Sequence, residues 1–137
     1  MTAPLHGGCQ CGAVRYVCAA APLQVYVCHC TECRAQSSSA FGISVQVPVA
    51  AFSLVRGAPR RWSRPTASGQ VLDGWFCPDC GSRLWHRNRG DAATLNIKGG
   101  SLDDPPDLSA AMHIWTASRL PGVLIPDDAA CFPGEPP

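Results

Sequence analysis

Residues 77–81 read Cys77-Pro-Asp-Cys-Gly81, and this short stretch indicates half of a metal site. Two thiolates separated by two residues can face one small cation, and the proline and following glycine favour the tight turn that this requires. A matching pair lies near the N-terminus in Gly7-Gly-Cys-Gln-Cys-Gly12, where glycines again flank the cysteines. One ion bound by both pairs would link the start of the chain to its second half. Metal binding at these residues would therefore contribute to the free energy of folding.

Seven of the nine cysteines fall into three clusters, of which the third is Cys28-His-Cys-Thr-Glu-Cys33. Cysteines this close in sequence rarely reach the separation and torsion of a disulfide, so a disulfide framework is the less favoured alternative. Sulfur-rich ligand sets favour zinc. Four thiolates complete a tetrahedron, whereas three leave one position open, as in catalytic zinc sites. The count of four plus three predicts two zinc ions per chain, one of them structural.

The sequence allows two groupings of these ligands. In the favoured one, Cys28, Cys30 and Cys33 face one ion, and the N-terminal pair joins Cys77 and Cys80 around the other. In the alternative, the group of three gains a fourth thiolate from another cluster and leaves a residual set of three. The alternative splits a local pair, so we consider it the weaker one.

Composition excludes several classes of function. A chain of 137 residues is long enough for one domain with a modest core. The formal net charge of +1 gives no electrostatic footprint for nucleic acid or an anionic membrane. The N-terminal residues lack the basic and apolar regions of a secretory signal, and no apolar run has the length of a membrane helix. We therefore expect a cytoplasmic protein, monomeric or homodimeric, whose cysteines are reduced.

The rest of the chain predicts a mainly β protein with one short helical turn. The clearest alternation is Phe41, Ile43, Val45 and Val47, which are separated by smaller or polar residues. Strands are expected at 13–18, 23–27, 41–47, 52–55, 71–76, 94–98 and 111–116. The polar stretch 34–39 can hold a helical turn, and residues 127–137 are expected to form an irregular tail.

Several of these motifs resemble one known family. They are Gly7-Gly-Cys-Gln-Cys-Gly-Ala-Val-Arg-Tyr16, Cys28-His-Cys-Thr-Glu-Cys-Arg34 with Ser37-Ser-Ser-Ala-Phe-Gly42, Phe76-Cys-Pro-Asp-Cys-Gly81, Gly99-Gly-Ser-Leu-Asp-Asp-Pro105, His113-Ile-Trp115 and Ser118-Arg-Leu-Pro121. Together they are similar to the glutathione-dependent formaldehyde-activating enzymes, a family that includes the vertebrate centromere protein V. The family often has an aromatic residue after the last Leu-Pro, where this chain has Gly122.

The resemblance implies a single domain over residues 1–137 with a small β-tent fold of short antiparallel strands stapled by zinc. It implies a structural zinc at Cys9, Cys11, Cys77 and Cys80 and a catalytic zinc at Cys28, Cys30 and Cys33. The implied activity is that of a carbon–sulfur lyase, which forms or cleaves S-hydroxymethylglutathione or a similar small thiol adduct. Glutathione or a similar thiol is then the partner. The alternative is a non-catalytic zinc module that binds a protein or nucleic acid.

Two residues beside the predicted open site are candidate catalytic groups. His29 can carry a proton to the developing alkoxide, although its ring can equally face solvent or pack on the turn. Arg34 can offset the negative charge that a fourth thiolate brings to the site. Ser37, Ser38, Ser39 and the pair Gly99-Gly100 are weaker candidates for binding polar groups of the substrate. We expect His86 and His113 to lie on strands and to be structural.

Overall fold

The computed structural model describes residues 1–137, and short strands make up most of its regular structure. In chain order the elements are β1 (Leu5–Gly8), β2 (Arg15–Cys18), β3 (Gln24–Cys28), α1 (Thr31–Ser37), β4 (Gly42–Pro48), β5 (Phe52–Arg56), β6 (Arg60–Pro65), β7 (Val71–Phe76), β8 (Arg83–Asn88), β9 (Thr94–Lys98) and β10 (Met112–Ile114). Three single turns of 3-10 helix lie at Val49–Ala51, Gly99–Ser101 and Thr116–Ser118. None of these helices has the length and apolar character needed to span a bilayer.

The strands form two sheets. The smaller has the order β1-β2-β5, and the larger has the order β10-β3-β4-β9-β8-β7-β6. Every neighbouring pair is antiparallel, as expected, except β10 and β3, which run parallel with Ile114 opposite Cys28. A parallel pair needs a long connection between its strands, and nearly the whole large sheet lies between β3 and β10 in sequence.

The register of the large sheet separates an apolar face from a polar one. One row across the sheet places Val25, Val45, Ile97, Trp85 and Trp75 beside one another. The adjacent row, on the opposite face, runs through Gln24, Gln46, Asn96, His86, Gly74 and Trp62. Side chains alternate between the two faces of a strand, so two rows that are one residue apart lie on opposite faces of the sheet. The apolar row therefore lies on one face and the polar row on the other.

The small sheet packs on the apolar face through aromatic rings. Phe52 lies with its ring centroid 4.8 Å from that of Trp85, and Tyr16 lies 5.2 Å from Phe52. Trp85 also stacks on Trp75 at 5.6 Å. The buried Tyr16 hydroxyl lies 2.6 Å from the Ser101 hydroxyl. Aromatic burial and one satisfied polar contact therefore join the two sheets.

The elements follow the sequence expectations where alternation is regular and depart from them elsewhere. The predicted strands are all present, with ends that differ by up to two residues. The helix begins at Thr31 rather than near Arg34 and has Cys30 as its N-cap. Strands β1, β6 and β8 were not predicted. In β8 the consecutive residues Leu84 and Trp85 are both buried, beside an irregular register in the pairing with β7, so its sequence does not alternate, and β6 is mostly polar. Residues 127–137 contain no helix and only the isolated bridge residue Cys131.

The contact between Tyr16 and Ser101 gives a test of how the two sheets are joined. The Ser101 hydroxyl donates to the Lys98 carbonyl at 2.7 Å, so the Tyr16 hydroxyl donates to Ser101. Ser101→Ala leaves a buried hydroxyl without an acceptor and should cost ~1–3 kcal/mol of unfolding free energy, whereas Tyr16→Phe should cost about 1 kcal/mol. Urea unfolding measures both. Equal costs, or additive costs in the double variant, would contradict the assigned hydrogen bond.

Candidate metal centres

Four cysteines from two distant turns meet at one end of the small sheet. Cys9 and Cys11 lie in the turn between β1 and β2, and Cys77 and Cys80 lie in the turn between β7 and β8. Their four sulfur atoms lie within 4.8 Å of one another. The Sγ atoms of Cys9 and Cys11 are 3.6 Å apart, and those of Cys11 and Cys77 are 3.8 Å apart.

These separations fit a zinc ion. Sulfur ligands at ~2.3 Å from a tetrahedral zinc lie roughly 3.8 Å from one another. All nine cysteines are free thiols, so no disulfide accounts for the cluster. Nearby donors point at the sulfurs, because the Val14 amide donates to Cys9 Sγ at 3.1 Å and Ser82 Oγ lies 3.2 Å from Cys80 Sγ. Hydrogen bonding from Ser82 lowers the pKa of the Cys80 thiol to about 5. Such donors stabilise the thiolate form that a metal requires.

The second group consists of Cys28, Cys30 and Cys33, whose sulfurs also lie within 4.8 Å of one another. Cys28 ends β3, Cys30 is the N-cap of α1, and Cys33 lies in the first turn of that helix. The Cys33 amide donates to Cys30 Sγ at 3.3 Å. No fourth cysteine, histidine or carboxylate joins this group. The structure therefore brings the clustered cysteines together as four and three, which is the favoured grouping.

Electrostatics in the group of three also favour a bound cation. Hydrogen bonds from the thiols of Cys28 and Cys33 lower the pKa of Cys30, so one sulfur of the group readily becomes a thiolate. The same contact raises the pKa of Cys28, because a second thiolate would be repelled by the first. In the protein alone the three sulfurs therefore resist full deprotonation. A divalent cation would remove that resistance, which is why this donor set fits zinc.

His29 lies between two of these cysteines, but its ring points into the protein. The residue is completely buried, and its Nε2 atom lies 3.0 Å from Nδ1 of His113. The His29 amide donates to the Ile114 carbonyl at 3.0 Å. Burial lowers the pKa of both imidazoles. Neither ring is exposed to solvent, so the pair fixes the Cys28–Cys30 turn against β10.

Arg34 also makes a structural contact. Its guanidinium donates to the Ser118 carbonyl at 2.7 Å and so joins α1 to the turn that follows β10. Arg34 follows Cys33 directly in α1, and one of its N–H donors is occupied by this hydrogen bond.

A cleft of about 760 Å³ opens at the group of three cysteines, all of which line it. Its floor is the polar face of the large sheet, where Ser44, Gln46, His86 and Asn96 project into it. His86 was expected to be structural, yet its Nδ1 atom has no hydrogen-bond partner in the protein. Burial keeps the pKa of His86 well below its usual value, so its imidazole is neutral at pH 7.

The C-terminal tail forms another wall of this cleft. Glu135 and Pro136 line it together with Trp115. The tail is fastened by hydrogen bonds, because the Trp115 indole donates to Glu135 at 2.8 Å and the Trp115 amide donates to the Gly134 carbonyl at 3.1 Å. Trp115 adopts a left-handed backbone conformation with φ of 56°, which these contacts hold in place. The tail has no sequence motif, so sequence reasoning could not place it here.

A second cleft, of about 820 Å³, lies on the other side of Cys33. It is lined by several residues that the sequence marked as weak candidates for substrate binding, namely Ser37, Ser38, Gly99 and Gly100. Arg83 and Lys98 also line it and were not singled out. Cys33 is the one cysteine of the group of three that lines both clefts.

Comparison with known proteins agrees with the cysteine pattern. The family model described as glutathione-dependent formaldehyde-activating enzyme matches residues 4–118, which include all seven clustered cysteines. The crystal structure of a Rhodobacter sphaeroides protein is similar in fold, with a TM-score of 0.61 and 24% sequence identity. That likeness covers 79% of this chain and 98% of the other.

The two cysteine groups should differ in their effect on stability. Cys77→Ser removes a ligand from the cluster that joins turns 66 residues apart, whereas Cys30→Ser disturbs a local turn. We expect Cys77→Ser to lower the thermal midpoint of the zinc-loaded protein by roughly 10 °C or more, and Cys30→Ser to lower it by less than about half as much. Equal shifts in thermal unfolding would show that the two groups do not divide into structural and local roles.

Proposed function

The chain belongs to the glutathione-dependent formaldehyde-activating enzyme family, and on that premise we propose that it is a zinc-dependent carbon–sulfur lyase. It forms or cleaves S-hydroxymethylglutathione or a similar adduct of a small thiol with formaldehyde. Such chemistry suits a reducing compartment, which keeps the seven ligand cysteines as thiols, and we place it in the cytoplasm.

One observation carries this proposal, namely a group of three cysteine sulfurs at the wall of an open cleft. Cys28, Cys30 and Cys33 have no fourth protein ligand and line a space of about 760 Å³. A closed set of four would favour a purely structural module. A set of three beside a cleft supports the enzyme, because a substrate can take the remaining position.

A zinc ion bound by these three cysteines would act as a Lewis acid that holds a substrate thiol in its thiolate form at neutral pH. The protein then has to supply orientation and proton transfer. Formation of the adduct creates a carbon–sulfur bond, moves the carbonyl π electrons to oxygen and transfers the thiol proton to that oxygen. Cleavage is the reverse. Because no oxidant or reductant is consumed, the reaction needs only groups of the kind that line the cleft, namely cysteines, polar residues and one histidine.

We assign the proton transfer to His86. Its imidazole is neutral at pH 7 and lines the same cleft as the three cysteines. The thiol loses its proton to solvent on binding, and the imidazole can then pass a proton from solvent to the hydroxymethyl oxygen as the carbon–sulfur bond forms. The buried contact with His113 supports a positioning role for His29 better than a shuttle role, since a shuttle must reach the substrate. Arg34 stays a candidate for charge compensation and also holds α1 in place.

Binding of glutathione should release about one proton per thiol near neutral pH, because the free thiol is largely protonated there and the bound form is not. Calorimetric titration of the zinc-loaded protein in buffers of different ionisation enthalpy measures this release. Cys33→Ala should abolish binding while the fold survives, and Arg34→Ala should weaken it. Binding without proton release, or undiminished binding by Cys33→Ala, would contradict ligation through sulfur.

His86→Gln should slow adduct formation about 100-fold while glutathione affinity changes by less than about twofold. Exchange NMR of glutathione and formaldehyde measures the rate, and His6→Gln, which alters an exposed histidine outside both clefts, is the control. The rate should stay level as pH falls to the ordinary histidine pKa of 6.5 and decline only below it, because burial lowers the pKa of His86. An unchanged rate in His86→Gln would remove His86 from the mechanism.

A further inference from the structure

The second cleft carries positive charge that no carboxylate of the protein neutralises. Its charged lining residues are Arg15, Arg83, Lys98 and Asp103. Arg15 and Asp103 form an ion pair through both guanidinium nitrogens, so their charges cancel. Lys98 and Arg83 take part in none of the ion pairs of the chain, which are Arg15–Asp103, Arg64–Glu32 and Arg89–Asp73. Two cations therefore remain in the cleft.

Lys98 is the only lysine in the sequence and lies at the end of β9 on the polar face of the large sheet. It stands opposite Ser44, and the next residue of β4 on that face is Gly42, which stands opposite Cys28. The absent side chain of Gly42 leaves room between Lys98 and the cysteines, since a Cβ there would approach the Cys33 Cβ to 3.2 Å. Lys98 is half-buried and no carboxylate pairs with it, so the sulfurs of Cys28 and Cys33 are the groups that can carry opposite charge beside it. A partly desolvated ammonium without a hydrogen-bonded anion is unfavourable. An anion in this cleft would relieve that cost.

Arg83 is held by aromatic rings. Its guanidinium carbon lies 5.3 Å from the ring centroids of both Trp62 and Phe76. Stacking of this kind fixes the plane of the guanidinium and leaves its N–H groups available at the edge. A planar guanidinium with free donors suits a carboxylate, which it can bind through two parallel hydrogen bonds.

We propose that this cleft is a carboxylate subsite, in which Lys98 and Arg83 bind an acidic group of the thiol substrate. The inference rests on the proposed function, in which the thiol binds at the three cysteines. Cys33 lines both clefts, so a thiol held at this group lies beside the second cleft as well as the first. The substrates selected in this way are thiols with a carboxylate a few bonds from sulfur. A neutral thiol of the same shape gains only the contact at sulfur.

The test compares 3-mercaptopropionate with its neutral amide, 3-mercaptopropionamide, by calorimetric titration of the zinc-loaded protein. The wild type should bind the acid about tenfold more tightly than the amide, because one charge-assisted hydrogen bond contributes about that much affinity. Lys98→Gln should reduce that preference to about twofold, whereas Lys98→Arg keeps the charge and should retain most of it. Arg61→Gln removes the same charge from an exposed position on β6 that lines neither cleft, and it should leave the preference unchanged.

Each outcome decides the proposal. Equal affinity of the wild type for acid and amide, or an unchanged preference in Lys98→Gln, overturns the carboxylate subsite while leaving thiol binding intact. Failure of the wild type to bind either thiol overturns both this subsite and the proposed function. If Lys98→Gln does not fold, as judged by its thermal midpoint, Arg83→Gln takes its place, with the same loss of preference expected.

Discussion

Cys9, Cys11, Cys77 and Cys80 link the two sheets of the molecule. Their cluster joins two turns that are far apart in sequence and belong to different sheets, and in doing so it fixes how the small sheet lies on the large one. The main hydrophobic cluster contains 13 buried residues, with Cys9 and Cys77 among them, so a metal that closed so long a loop would contribute free energy that packing alone supplies weakly. The aromatic contacts between Tyr16, Phe52 and Trp85 lie between the same two sheets and depend on that alignment.

The large sheet forms the floor of the cleft. Its apolar face is covered by the small sheet, which leaves the polar row through Gln46, Asn96 and His86 as the floor of a cleft. Cys28 lies at the edge of that floor, and α1 brings Cys30 and Cys33 back beside it. If both groups bind zinc, the same ligand type serves two purposes, because four sulfurs would satisfy the metal fully and three would leave one position for a substrate.

Sequence alone predicted how the cysteines group and the β class, because local spacing determines both. The separations of the clustered cysteines are set by the chain itself, and regular alternation in β4 and β9 marks the strands. The cleft could not be predicted, since its floor depends on the register of four strands and its walls on the C-terminal tail. Lys98 is a single residue without a motif, and only the alignment of β9 with β4 shows that it faces the cysteines. The sequence allows the His29 ring either to face solvent or to pack into the protein. The structure shows the second arrangement, because the ring contacts His113.

The central claim is that one chain holds two zinc ions in sites of different completeness. The most direct measurement is metal content followed through a graded titration with chelator, with zinc release and unfolding recorded together. The account predicts two zinc ions per chain in protein purified without chelator. One ion should leave first with the fold intact, and the second should leave together with unfolding. A single ion, no ion, or simultaneous release of both ions would contradict it.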